Sequence, residues 1–370
     1  MVFLTYNDSP DGIYFSQVTD VCQYLEDTFK ERVRLVAFIS LRDYFVNKRK
    51  IRFAYPDSTV LPMFPGIDNW KLSLFRLNRH MIFRKKDNVI ARGVFATLLA
   101  IKSNHFKKVC FDARGAYAAE WNEYLKSNSP TLAAQMKDLE KEALTKSDFR
   151  IAVSQKLVDY WQENYEYTDS GHVVIPCTLG TAKAEFKSDA PLTIRKRLNV
   201  SDTDILLVYS GSSAQWQSFQ KLEECITTAF DKNPNLKLLM LCRPGGEKAL
   251  AQKFPGRVMQ AWVKPYEVPA FLEAADYGLL VRETSVTNKV SSPVKFAEYL
   301  AAGLPVIISQ AIGDYSAFVK EKNCGMIVNE VDWSKMNRIT ESEKARIKEI
   351  AKTYFTKGAY KEEYIKVLDF

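Results

Sequence analysis

The chain has 370 residues, enough for two ordinary domains, and its 46% hydrophobic, 26% charged composition excludes a disordered or fibrous protein. No run of about 18 apolar residues occurs, which excludes a membrane-spanning helix of the usual kind. The net charge of +8 is uneven: residues 30–86 hold 14 lysines and arginines against four acids, so one region is basic and the remainder close to neutral.

Residues 1–6 enter a strand-like run with no basic leader or cleavage site, so a cytoplasmic protein is expected. Apolar runs of four to eight residues then alternate with segments of helical period, the pattern of parallel α/β folds. In the first half, strands are predicted at 2–6, 33–40, 89–91, 109–112, 151–153 and 173–176, with helices at 16–29, 70–84, 95–104 and 131–145. A polar stretch over 178–190 precedes a second series, with strands at 205–209, 236–241, 258–261, 278–281 and 306–309. The expected architecture is two Rossmann-like, doubly wound parallel-sheet domains facing across a cleft, over 1–185 and 186–352, followed by a last amphipathic segment over 353–370.

Six cysteines are scattered without C-x-x-C spacing, and most read as reduced core residues. The three histidines share no metal-binding spacing, and no G-x-S-x-G elbow is present. What remains is chemistry that carboxylates, cations and backbone amides can perform.

One segment carries most of that chemistry: Ser291-Ser292-Pro293-Val294-Lys295-Phe296-Ala297-Glu298-Tyr299-Leu300-Ala301-Ala302-Gly303-Leu304-Pro305-Val306-Ile307. Ser292 reads as an N-cap, Pro293 as the first helical residue and Gly303 as the stop. A helix amino end gathers free N–H groups and positive potential, which suits phosphate. Lys295 in the first turn adds a full charge where the macrodipole disfavours one. Glu298 adds an acceptor suited to a ribose diol. The bland alternative is a plain helix cap with both charged side chains solvated.

This block resembles the donor-site signature of the retaining GT-B glycosyltransferases of family GT4 (glycosyl transferases group 1), S-P-x-K-x-x-E-Y-x-A-x-G-x-P-V-I, at every fixed position. The resemblance implies a metal-independent transferase that uses a nucleotide diphosphate sugar as co-substrate and no cofactor, with 1–185 as the N-terminal acceptor domain, 186–352 as the C-terminal nucleotide-sugar donor domain and 353–370 as a C-terminal helix that crosses back to the first domain. It places the donor ribose on Glu298 and the pyrophosphate on the amides around Val294 and Lys295, beside Ser292 and Pro293. Weaker echoes follow. Ser147–Ser154 is similar to the family's A-D-x-v-i-x-v-S strand, and Val174-Ile175-Pro176-Cys177 with Phe186 to its linker. Phe111-Asp112-Ala113-Arg114-Gly115 is similar to a variant of the D-x-H-D segment that faces the donor sugar. Two departures stand out. The first carboxylate of the family's E-x7-E pair is replaced by Val290, and Gly211-Ser212-Ser213-Ala214-Gln215-Trp216-Gln217 lacks the Arg and Lys of the usual phosphate loop.

Other candidates come from position alone. Arg92 and Arg114 each follow a strand, where they either enter the cleft or pair with a nearby carboxylate. Arg243, after the strand at 236–241, is placed to meet donor phosphate, and Trp216 either stacks on the base or packs. Gly12 lies in the loop after the first strand and reads as a cleft glycine or a plain turn; Asp112 belongs with the cleft group. Asp202-Thr203-Asp204 spells a metal-binding D-x-D, but it precedes a strand instead of ending one, and no metal is expected. Trp70, Leu74, Leu77 and Met81 form a helical stripe in the basic region 30–86, readable as an anionic-membrane surface or as a core face. No nucleic-acid-binding module accompanies the charge. A glycan or lipid-linked acceptor and a peripheral location on the membrane's inner face are the expected setting. A catalytically degenerate sugar-nucleotide-binding scaffold is the rival reading, and an epimerase of nucleotide sugars a third.

Overall fold

The computed structural model describes residues 1–180, 191–211, 218–245 and 248–370. The chain divides into two compact units, Met1–Ala182 with Val290–Ser292 and Lys357–Phe370, and Lys183–Lys289 with Pro293–Thr356.

The first unit holds a seven-stranded sheet: β1 (Val2–Tyr6), β2 (Arg34–Ile39), β3 (Ser58–Pro62), β4 (Asp87–Arg92), β5 (Phe106–Asp112), β6 (Phe149–Ala152) and β7 (His172–Val174). Their order is 3-2-1-4-5-6-7, and every neighbouring pair is parallel. The second unit holds β8 (Ile205–Ser210), β9 (Leu236–Leu241), β10 (Val258–Ala261), β11 (Tyr277–Leu280), β12 (Val306–Ile308) and β13 (Gly325–Ile327). Their order, 10-9-8-11-12-13, repeats the first six positions of the other sheet, again all parallel. Two Rossmann-like α/β units are therefore present, as the alternating pattern predicts.

Parallel strands are covered on both faces, which is why they read as continuous apolar runs. In the first unit Val2, Leu4 and Tyr6 of β1 join one core layer, while Phe3 joins the other. Helices α1 (Asp20–Phe29) and α2 (Tyr44–Ala54) supply Val21, Leu25 and Ile51 to the layer of Phe3. Helices α3 (Ser73–Met81), α4 (Gly93–Ser103) and α5 (Pro130–Lys146) supply Leu77, Met81, Leu98 and Met136 to the opposite layer. The stripe of Trp70, Leu74, Leu77 and Met81 thus faces this core: Trp70, Leu77 and Met81 are at most 1% exposed, and Leu74 packs half-buried against the same layer.

Two strands lay outside the sequence reading. β3 and β13 are short edge strands, STVLP and GMI, only partly buried and without an apolar run to announce them. The segment expected to be one closing helix over 353–370 also differs. A helix over Glu341–Tyr354 ends there, a short turn follows, and α6 (Lys361–Asp369) buries Tyr364 and Val367 in the first unit. All six cysteines are free and five are buried. Among the described residues no helix is long and apolar enough to cross a membrane.

Candidate donor and acceptor sites

In an open parallel sheet, ligands bind beyond the carboxyl ends of the strands, at the point where strand order reverses. That point lies between β8 and β11 in the second unit and between β1 and β4 in the first. Of the described candidates, Arg92 and Asp112 end strands, and Arg114, Gly211 and Arg243 follow a strand end within two residues.

In the second unit Gly211 follows β8 directly. A Cβ there would meet the Tyr209 hydroxyl at 2.6 Å, so the chain runs close to that side chain where a larger residue would clash. Ser212, Trp216 and Gln217 lie outside the described residues, as does Phe186. The signature segment forms α7 (Val294–Ala301), but its cap differs from expectation. Pro293 occupies the N-cap position, and the Ser292 hydroxyl instead accepts a hydrogen bond from the Cys177 amide at 2.8 Å. The first turn closes when the Phe296 amide donates to the Pro293 carbonyl at 3.0 Å. The amides of Val294 and Lys295 precede that bond and have no intrahelical acceptor, the arrangement that attracts an anion.

Lys295 and Glu298 stand one turn apart on α7, their Nζ and Oε2 2.6 Å apart, with side chains 27% and 33% exposed. Both are reachable by a ligand. Other residues of the signature hold the frame. Tyr299 is fully buried, accepts from the Ser210 amide at 2.8 Å and donates to the Leu279 carbonyl at 3.2 Å. One phenol thus ties α7 to the ends of β8 and β11. Gly278 is obligatory beneath it, since a Cβ would approach the Tyr299 ring to 2.5 Å. Gly303 ends the helix at φ +81°, with Lys344 backbone atoms 3.0 Å from where a Cβ would stand.

Arg243 is exposed just past β9, its guanidinium 5.5 Å from the ring centre of Trp262, which follows β10 and is 61% exposed. Sequence reasoning missed Trp262, although a tryptophan directly after a strand was the available signal. It also missed Arg282, placed just past β11. The Arg282 amide donates to the Ser309 hydroxyl at 2.8 Å and its guanidinium donates to Asn288 Oδ1 at 3.3 Å. Val290, at the position of the missing carboxylate, is buried in the first unit, and its carbonyl accepts from the Ser154 hydroxyl at 2.7 Å.

In the first unit the structure brings Arg92, Asp112 and Arg114 together and adds Asp8 and Gln17. Arg92 ends β4, Asp112 ends β5, and Asp8 lies two residues past β1. Arg92 Nη1 stands 3.5 Å from Asp112 Oδ2 and its Nε 3.7 Å from Asp8 Oδ2. Arg114 Nη1 stands 3.2 Å from Asp112 Oδ1, while Nη2 donates to Gln17 Oε1 at 3.2 Å. Gln17 in turn donates to the Thr178 carbonyl at 2.6 Å. Both arginines therefore pair with carboxylates and also stand at strand ends. Two guanidinium and two carboxylate groups cancel in charge, so the cluster suits a neutral, hydroxyl-rich ligand better than an isolated anion.

Tyr6, Asp8, Arg92, Gly93, Arg114 and Tyr117 line an open pocket of about 110 Å³, room for several waters or part of a sugar ring. Asp8 Oδ2 is sealed from solvent with no hydrogen-bond partner, although its side chain as a whole is a third exposed. Burial pushes its carboxyl up to about 6, against the opposing pull of Arg92. Gly93, at φ +80°, leaves room for the Tyr117 hydroxyl, 3.0 Å from where a Cβ would sit. Gly12 lies apart from this pocket lining, in open space on a short turn capped by the Asp11 carboxylate. Asp204 of the D-x-D is engaged locally, by the Ser201 amide and hydroxyl and by Lys237 Nζ at 2.9 Å. Among the described residues no three His, Cys, Asp or Glu side chains converge as a metal site.

Two such sheets with these strand orders define the GT-B fold, and solved structures agree across the whole chain. HepE from Anabaena, crystallised with UDP, superposes with TM-score 0.72 at 13% identity, covering 100% of this chain and 99% of that one. Sucrose-phosphate synthase from Thermosynechococcus elongatus gives 0.69 at 13% identity, covering 100% and 98%. WaaG, described as a glycosyltransferase involved in lipopolysaccharide biosynthesis, gives 0.67 at 15% identity, covering 99% and 98%. At the level of sequence, residues 225–365 match the family described as glucosyltransferase 3-like, C-terminal domain. That segment contains Arg243, Arg282, Lys295 and Glu298. A comparison with curated proteins found no match.

Proposed function

We propose that this protein is a glycosyltransferase that moves a sugar from a UDP-linked donor to the hydroxyl of a glycan or lipid-linked acceptor, with retention of anomeric configuration and without a metal ion. The carrying observation is the amino end of α7, where two amides without helical acceptors, an ammonium and a carboxylate share one reachable edge. That edge lies within the glucosyltransferase 3-like segment, and UDP is the nucleotide in the HepE crystals. In this reading the free donor site keeps Lys295 paired to Glu298. Arriving diphosphate takes over the ammonium, and the released carboxylate accepts from the ribose diol.

During transfer the bond from the anomeric carbon to the β-phosphate oxygen breaks, and the bond to the acceptor oxygen forms on the same face. The acceptor proton passes to the departing phosphate, so no protein nucleophile is required. The α7 amides, Lys295 and Arg243 stabilise the charge that develops on UDP, commonly the largest catalytic contribution. The pocket of Asp8, Arg92 and Arg114 receives acceptor hydroxyls. A GT4-like hexosyltransferase accounts for this set of residues.

The test is UDP release by the pure chain from a panel of UDP-hexoses and UDP-N-acetylhexosamines, with EDTA present, followed by proton NMR of the released or transferred sugar. Release with an α-configured product is expected. Binding without release supports the scaffold reading suggested by Val290, and an inverted product or dependence on metal rejects the mechanism.

A further inference from the structure

Behind the pocket of Asp8 and Arg92 lies a charge that packing alone does not explain. Glu140 of α5 is fully buried, and among the described residues no cation pairs with it. Its Oε1 accepts from the Tyr117 amide at 3.0 Å, and its Oε2 from the Ala118 amide and the Tyr165 hydroxyl, each at 2.8 Å. Taking a carboxylate out of water is costly unless hydrogen bonds replace its hydration. These three do so, and two of them come from the first turn of the short helix Tyr117–Glu120. The residue at the N-cap position of that helix is Ala116, which has no side-chain acceptor. Glu140, 23 residues along the chain from Tyr117, supplies the cap instead.

The residue held by this remote cap faces the pocket. The Tyr117 ring lines it beside Asp8, Arg92 and Arg114, packs against Phe111 with ring centres 6.3 Å apart, and places its hydroxyl in the space that Gly93 leaves free. Burial pushes the Glu140 carboxyl up to about 7, although all three hydrogen bonds pull it down. Glu120 adds a like charge from the capped helix itself, and is in turn raised by burial and by Glu123. Tyr160 and Tyr165 face it from the helix Gln155–Tyr165, both phenols held above their usual range by burial. Lys102 of α4 is engaged by Glu142 at 2.7 Å. Arg150, which donates to the Leu144 carbonyl of α5, is engaged by Asp169 at 2.6 Å.

We propose that Glu140 is a positioning residue of this pocket: as a carboxylate it holds the backbone that presents Tyr117, and proton uptake releases Tyr117 from its place in the wall. The functional meaning rests on the reading of the pocket as the acceptor site. The test reads Tyr117 directly, so a failed transferase assay and a failure of this proposal are told apart. The full chain is labelled with carbon-13 at its tyrosine rings, and the Tyr117 signal is assigned by its loss in Y117F. Burial holds the Tyr117 phenol well above its ordinary 10, so movement of that signal between pH 5 and 8.5 reports a neighbour. In D8N, which removes the titration across the pocket, the signal should move with a midpoint of about 7. E140Q in the same background should abolish the movement while circular dichroism matches the parent. Y165F takes one donor from the carboxylate and should raise the midpoint by about one pH unit; where E140Q fails to fold, this variant decides. A Tyr117 signal that stays still in D8N overturns the proposal, as does a midpoint unchanged by Y165F. Movement that survives E140Q overturns it too, by assigning the titration to Glu120.

Discussion

Replacing Lys295 by alanine separates a ligand-binding lysine from a merely solvated one, because the two roles give opposite ratios of functional to structural loss. The Lys295–Glu298 pair is short, but both side chains are about a third exposed. An exposed pair one turn apart on a helix contributes about 0.3–0.5 kcal/mol. Against that, a cation in the first turn is disfavoured by the helix dipole by about 0.3–1 kcal/mol. The two contributions nearly cancel, so K295A should change the free energy of unfolding in urea by less than about 1 kcal/mol. A charge-assisted hydrogen bond to diphosphate is worth about 1.5–3 kcal/mol, which corresponds to about ten- to 150-fold in Kd. Isothermal titration should therefore show weakened UDP binding by K295A with uridine binding unchanged, since uridine has no phosphate to lose. E298A should weaken both, because both carry the ribose diol. UDP affinity within threefold of the parent, or a stability loss above about 2 kcal/mol, would refute the assignment of this edge to the donor.

Three further outcomes follow from the same geometry. Tyr299→Phe leaves the buried Ser210 amide without its acceptor, and urea denaturation should show a loss of about 1–3 kcal/mol. Gly303→Ala forces φ +81° on a residue with a Cβ, pressed against the Lys344 backbone, and should cost about 1–3 kcal/mol by the same measurement. Asp8 titrates at about 6. If its carboxylate accepts from the acceptor hydroxyl, transfer should fall as pH drops below about 6, and D8N should flatten that acid limb while leaving UDP affinity unchanged. Stability runs the other way: the native state keeps the Asp8 proton above the ordinary 3.8. It therefore loses Asp8-linked stability as pH rises from about 4 to 6. D8N should reduce that slope in urea titrations at stepped pH, whereas an unaltered slope argues against the assigned titration.

What the sequence made legible was the part written in local patterns. Both sheets announce themselves because parallel strands bury two faces and so appear as unbroken apolar runs, as in VFLTY of β1 and ILLVYS of β8. Two of the four edge strands, β3 and β13, escaped, since each is short, only partly buried and without an unbroken apolar run. The signature around α7 was readable to the residue, yet it could not reveal which positions are structural. Ser292 reads as a cap from neighbouring residues alone but bonds to Cys177, 115 residues away. The Trp70–Met81 stripe could not be assigned to core or surface from spacing, because α3 carries apolar residues on both sides and only packing distinguishes them. Asp8 and Trp262 lie outside every motif. Their interest comes from strand ends that topology brings together.

The central claim is that donor diphosphate rests on the amino end of α7, and hydrogen–deuterium exchange of the full chain with and without saturating UDP tests it most directly. Slowed exchange is expected in peptides spanning 293–298, and K295A should lessen that protection at the same UDP concentration. Protection confined to other segments, with 293–298 exchanging as in the free protein, would contradict the account.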